Sequence, residues 1–211
     1  MTYWATADFH LGHFNIIKYV NRPFKTLEEM NETIIHNHNQ RVKKNDVWIH
    51  NGDFIFNSAN NKGNGSIFKA AEFLDRFNGT PILILGNHDA RRGNSVKTKN
   101  QSLILSGPGY QIKVVHNPLH ADPSFPLNLI GHVHTLFKIL SFKEYYEWQK
   151  KVLLRTDLPE SYYKTVKQFV ERWKNHKKDS VLLNIGVDVH NFFPLSFEEI
   201  ICLYNKFKKQ N

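Results

Sequence analysis

Five times along the 211-residue chain a short apolar run stops abruptly at a cluster of Asp, Asn and His. The runs over 2–7, 46–51, 80–85, 110–115 and 127–130 lead into Asp8-Phe9-His10, Gly52-Asp53, Gly86-Asn87-His88-Asp89, His116 and Gly131-His132-Val133-His134. Runs this short and rich in Val, Ile and Leu read as buried strands. Helical patterns separate them. Thr26 followed by Glu29 is a capping box, opening a helix with Leu27, Met30, Ile34 and Ile35 on one face. Ser66 can cap a helix carrying Ile67, Ala70, Ala71, Leu74 and Phe77, which Gly79 stops. Strands alternating with helices predict an α/β layered architecture.

The second half adds strands near 102–105 and 181–185, and Ser196 with Glu199 caps a closing helix whose end, Lys206–Asn211, reads as a frayed basic tail. Between Ser141 and Ser180 the texture changes to two helical stretches broken near Leu158-Pro159 and rich in Lys, Arg, Tyr and Trp. This is expected to be a helical insertion, 142–178, within one domain spanning 1–211. The net charge of +9 favours an anionic partner. Cys202 is the single cysteine, which rules out an intramolecular disulfide and suits a reducing compartment. No apolar run approaches the length of a membrane span, and the opening strand leaves no room for a signal peptide, so a cytoplasmic location without membrane contact is expected.

Carboxylate, imidazole and amide oxygen together suit borderline cations such as manganese, iron or zinc. In a strand, positions i and i+2 point the same way, so Asp8 and His10 are expected to face one centre, while His132 and His134 could serve neighbouring ions. Strand ends are also where α/β sheets form ligand crevices. Each motif alone would be an ordinary turn or surface residue. Their recurrence in order at strand ends is what points to a site.

That order resembles the calcineurin-like metallophosphoesterase superfamily from Asp8 through His134. Asp8 to Ile17 and Asn184-Ile185-Gly186-Val187-Asp188-Val189 resemble a small bacterial and phage branch. The resemblance implies two packed mixed β-sheets flanked by helices, with two divalent metal ions in the strand-end loops. Manganese is the first expectation, with iron, zinc or nickel as alternatives. Asp8, His10, His134 and a shared Asp53 would hold one ion; Asp53, Asn87, His116 and His132 would hold the other. His88 would lie near the leaving group, with Asp89 to orient it. Two cations ~3.5–4 Å apart clamp phosphoryl oxygens and lower the pKa of a bridging water, which attacks as hydroxide.

The expected activity is therefore hydrolysis of a small phosphoester, a nucleotide-like mono- or diester. A nuclease acting on DNA or RNA is the alternative, and a catalytically idle protein that binds a phosphorylated ligand is the second. Phe54-Ile55-Phe56-Asn57-Ser58 lacks the Asp-Arg-Gly of the superfamily's protein phosphatases, and it lacks the His that its repair nucleases carry past the same Asp.

His13, Arg91 and Arg92 are candidate substrate contacts, the arginines because a guanidinium can grip a phosphate. Arg22 is a weaker candidate of the same kind. His50 reads as a core residue or as support for a ligand; His36, His38, His120 and His176 read as surface; Asp188 and His190 read as structural or as part of the crevice rim. The 142–178 insertion is open to three readings: an amphipathic pair with solvated lysines, a basic lid, or a nucleic-acid surface with aromatic stacking. The oligomeric state is not legible.

Overall fold

Backbone pairing sorts the strands into two mixed sheets. The computed structural model describes residues 1–56, 69–89, 96–107, 110–178 and 180–211. In the first sheet β1 (Tyr3–Thr6), β2 (Val47–Asn51) and β3 (Thr80–Ile84) run parallel with β2 central, and β9 (Leu195–Ser196) pairs antiparallel with β1. In the second, β5 (Tyr110–Val115), β6 (Leu127–Ile130) and β8 (Val181–Asn184) run parallel, flanked by antiparallel β4 (Ser102–Gly107) and β7 (Ile139–Ser141). Parallel strands need crossovers and burial on both faces, which is why most core residues of these strands are apolar, with Thr6, His50, Asn51, Asn128 and Asn184 the buried polar exceptions.

Alternation along each strand builds the layers. Ala5, Ala7, Ile49 and Ile84 meet Ile112, Val114, Leu127, Leu129, Val181 and Leu183 between the sheets. On the outer face of the first sheet, Trp48 packs with residues of α1 (Ile16–Tyr19), α2 (Leu27–Arg41) and α3 (Ala70–Leu74). On the outer face of the second, Val115, Ile130 and Leu182 pack against Phe142, Tyr145, Val166 and Phe169 of α4 (Phe142–Val152) and α5 (Glu160–Trp173). The result is two packed mixed sheets flanked by helices, the architecture that the resemblance implied. Among the described residues, no helix is long and apolar enough to cross a membrane.

Local signals mostly hold. Thr26 caps α2 by accepting from Glu29 N at 3.0 Å, and Ser196 and Glu199 form a reciprocal box at the start of α6 (Phe197–Gln210). α6 does not fray at Lys206, because Phe207 continues the apolar stripe of Ile200 and Tyr204 onto the inter-sheet core. α1, β7 and β9 escape the sequence reading because two to four residues carry no measurable period. His38 is not a surface residue: it is fully buried on the inner side of α2, its Nε2 donating to the carbonyl of Asn78 at 3.0 Å. The helix start expected at Ser66 lies outside the described residues.

Candidate metal centre

Every strand-end motif arrives at one end of the sandwich. The five loops follow β1, β2, β3, β5 and β6, and a parallel Ala7–Gly186 bridge joins the end of β1 to the chain just past β8. Strand alternation does not aim the donors, contrary to the i, i+2 expectation. Asp8, His10, Asp53, His132 and His134 all adopt left-handed backbone, with φ of 59°, 52°, 58°, 71° and 46°. That conformation costs an L-residue roughly 1–2 kcal/mol. It survives where hydrogen bonds over-determine it. Asp8 N donates to Gly52 O at 3.0 Å, His10 N to Asp53 O at 2.9 Å, and His132 N to the Asp8 carboxylate at 3.0 Å.

Two glycines permit the convergence. Gly52 has φ +86°, and a side chain there would run into the His116 ring. A Cβ on Gly86 would collide with Asp53.

Asp8, His10, Asp53 and His116 form a buried floor, and His88, His132 and His134 are half-exposed above it, with Asn87 exposed at the mouth. Asp53 Oδ2 lies 3.5 Å from His10 Nε2, 3.4 Å from His116 Nε2 and 3.9 Å from His88 Nε2. Asn87 Oδ1 lies 3.2 Å from His116 Nε2 and 2.9 Å from His132 Nδ1. Three donor groups form, each with ligand atoms within 4.8 Å of one another: Asp8/His10/His134, His10/Asp53/His88 and Asp53/His116/His132. Asp53 belongs to two of them. The donors fit divalent cations on a further observation: His10 Nε2 is buried without a hydrogen-bond partner among the described residues. A buried ring nitrogen left so is costly unless it serves as a ligand.

The surrounding contacts fix tautomers. His116 Nδ1 donates to the carbonyl of Asn51 at 2.8 Å, which turns Nε2 towards Asp53. His134 Nδ1 donates to Asp188 Oδ2 at 2.8 Å, and Arg22 grips Asp188 through Nε at 2.8 Å and Nη2 at 3.1 Å. Arg22 also donates to the carbonyls of Phe9 and Asp8, at 2.8 and 2.6 Å. It is thus buried under the site and not a phosphate gripper.

Asp188 is likewise no rim residue. The Arg22–Asp188–His134 chain escaped the sequence reading because its members are 166 and 54 positions apart.

Asp89 spends its carboxylate on backbone N–H groups of Asp53, Phe54 and Gly86, at 2.7, 2.9 and 2.9 Å. Its contacts clamp two ligand loops together. His13 is buried, with Nδ1 3.4 Å from His10 Nδ1 and its ring 4.1 Å from that of Phe56. It packs beside His10, with the His88 ring 6.0 Å away. His50 is a core residue, its ring 4.5 Å from Phe9. Arg91 and Arg92 lie outside the described residues.

The electrostatics show a cluster that attracts positive charge. Burial drives the Asp8 carboxyl up to about 6, against the nearby His116 and His134. For His116, burial works downward, but the Asp53 carboxylate outweighs it and pushes the ring up to about 9. Burial opposes ionisation of Asp53 too, yet His116, His10 and His88 hold it well below the usual carboxylate range. Burial keeps His10 and His132 neutral, His132 at about 4, which leaves lone pairs for a cation.

Comparisons with known proteins fit this geometry. The uncharacterized protein MJ1445 of Methanocaldococcus jannaschii is 32% identical over 206 residues, covering 97% of this chain and 92% of the relative. The crystal structure of the protein of unknown function AQ665 from Aquifex aeolicus superposes with a TM-score of 0.59 at 21% identity, over 96% of this chain and 98% of that one. That likeness shows the fold. The family model described as calcineurin-like phosphoesterase matches residues 1–204. The chain belongs to the calcineurin-like phosphoesterases.

Proposed function

We propose that this protein is a metal-dependent phosphoesterase that hydrolyses a small nucleotide-like mono- or diester, using two divalent cations, manganese first among the alternatives. The observation that carries the reading is Asp53: one buried carboxylate oxygen stands within 3.5 Å of ring nitrogens on both sides of the site. Asp8, His10, Asp53 and His134 would hold one ion, and Asp53, Asn87, His116 and His132 the other. Such ions polarise a phosphoryl oxygen and lower the pKa of the attacking water. The chain's own residues do the rest. The buried floor excludes bulk solvent, which strengthens attraction to the phosphate. His88, at the mouth and edge-on to Phe56 at 4.8 Å, is positioned to hand a proton to the departing oxygen. The lone cysteine suits a reducing cytoplasmic setting.

The deciding experiment is a panel of phosphomonoesters, cyclic nucleotides, dinucleotides and oligonucleotides, assayed with manganese and with zinc or nickel. The His88→Ala variant should keep its metal and lose about 10²–10⁴-fold in turnover. Unchanged turnover would remove His88 from the reaction. The net charge of +9 favours a second reading as a nuclease. Preferential cleavage of oligonucleotides, weakening steeply as salt rises, would select it. Nucleotide binding without any turnover would instead mark an idle phospho-ligand binder.

A further inference from the structure

Beside the metal centre a cavity of about 360 Å³ runs from His132 and His134 to the helical insertion. Its volume is that of a small-molecule site. The insertion's contribution is aromatic: Tyr145 and Trp148 from α4, edge to face at 5.7 Å, and Tyr162 from α5, which is 39% exposed at the rim. Between these rings sits Gln149, 2% exposed, on the otherwise apolar stripe of α4 with Phe142, Tyr145 and Val152. Its Oε1 is buried with no hydrogen-bond partner among the described residues. A buried amide oxygen without a donor destabilises the fold, and an apolar side chain would serve packing better. The last torsion of Gln is soft, so a small rotation turns the amide towards the cavity.

We propose that this cavity is a nucleobase subsite: the planar heterocycle of a mononucleotide stacks on the insertion aromatics and gives an N–H to Gln149 while its phosphate lies at the metal centre. Three features favour that occupant over an aliphatic group. Three flat rings line its insertion side, alongside Val20, Leu119 and Leu136 from elsewhere in the chain, a buried amide oxygen without a donor lies beside them, and two of the donor histidines line the same cavity. A base stacks on any aromatic face whatever its sequence identity, and one such contact is worth roughly ten- to hundredfold in affinity. The inference rests on the phosphoesterase reading for the position of the phosphate, but the base contacts stand without it.

Binding of adenosine, guanosine, cytidine and uridine to the full chain tests it, measured by calorimetry and saturation-transfer NMR with a chelator present. At least one nucleoside should bind saturably without metal. Gln149→Leu should weaken it about tenfold, and Trp148→Ala and Tyr162→Ala by at least as much. Tyr162→Ala alters an exposed rim residue, so its result is not clouded by misfolding. In parallel, the intact enzyme should prefer the matching nucleotide over glycerol phosphate in kcat/KM. Absence of nucleoside binding, or binding indifferent to all three substitutions, overturns the subsite. Equal use of nucleotides and glycerol phosphate overturns it too, and leaves the phosphoesterase reading intact. Nucleoside binding that depends on Trp148 in a protein that hydrolyses no phosphoester keeps the subsite and sinks the enzyme.

Discussion

The two halves of the metal centre are fixed by different kinds of contact. Around Asp53 and His116 the ligand loops are fixed through their backbone: the Asn51 carbonyl lies under His116, and the Asp89 carboxylate gathers the N–H groups of Asp53, Phe54 and Gly86. Asn51 also donates to the carbonyls of Val115 and Leu129, at 3.0 and 3.3 Å, tying this half to the second sheet. Around Asp8, His10 and His134 the fixing partners are charged side chains, Asp188 and Arg22, both with side chains almost wholly buried. A carbonyl in a strand stays put whatever side chain its residue bears. A buried ion pair needs both members, and breaking one costs about 3–5 kcal/mol. One half is therefore tied to the sheet by backbone groups and a single carboxylate, Asp89, and the other hangs on an ion pair, Asp188 with Arg22.

The largest effect should come from the residue that spans both halves. Asp53→Asn keeps the shape and removes the charge shared by His10 and His116. Elemental analysis of dialysed protein should show metal lost from both halves, with hydrolysis at background. Retention of two equivalents would mean that the halves do not meet at Asp53. Next in size is Asp89→Ala, which orphans three buried N–H groups and should lower stability by about 3–6 kcal/mol in denaturant titrations. A loss under 1 kcal/mol would show that this loop is held by something other than Asp89.

The backbone-held half was the more legible in the sequence. Gly52-Asp53 and Gly86-Asn87-His88-Asp89 sit directly after apolar runs, and a strand end fixes its neighbours in space. What could not be read was the left-handed backbone at Asp8, His10, His132 and His134, since Asp and His tolerate positive φ without announcing it. The charge-held half was harder. Arg22 read as a weak phosphate contact and Asp188 as structural or part of the crevice rim, and their pairing was not legible because it is made by tertiary packing across most of the chain. His38 was misplaced for a related reason: helix α2 mixes polar residues into its buried face, where Asn31, Asn37 and His38 lie with Met30 and Ile34.

Acid separates the metal centre's supports from the rest of the fold. Burial holds His38 and His190 down at about 4. An unfolded histidine takes its proton near 6.5. Between about 6.5 and 4 these two rings bind more protons in the unfolded chain, so their contribution to stability is lost as pH drops through that window and is constant above it. Each ring accounts for at most about 3 kcal/mol. Asp188 behaves differently: burial works to raise it, but His134 and Arg22 hold it below the ordinary carboxylate value, so it stays ionised throughout the window. Denaturant titrations from pH 7 to 4 should show the loss in wild type. His38→Gln should flatten it by about one proton, and an unchanged slope in that variant would place the acid sensitivity elsewhere.

The smallest effect is the most diagnostic. Asp188→Asn preserves an acceptor for His134 Nδ1 but removes the charge that makes the ring basic and that neutralises Arg22. Loss of such a partner behind a ligand histidine costs about 10–100-fold in metal affinity. Because Asp188 touches His134 and Arg22, and Arg22 touches the carbonyls of Asp8 and Phe9, the loss should fall on the ion assigned to Asp8, His10 and His134. The ion assigned to Asn87, His116 and His132 has the Asn51 carbonyl and its own loops behind it, and should be spared. A chelator competition that resolves two binding steps would show one step weakened and one unmoved. If both steps weaken alike, the backbone scaffold does not isolate its ion, and the two halves act as one rigid unit held ultimately by Arg22.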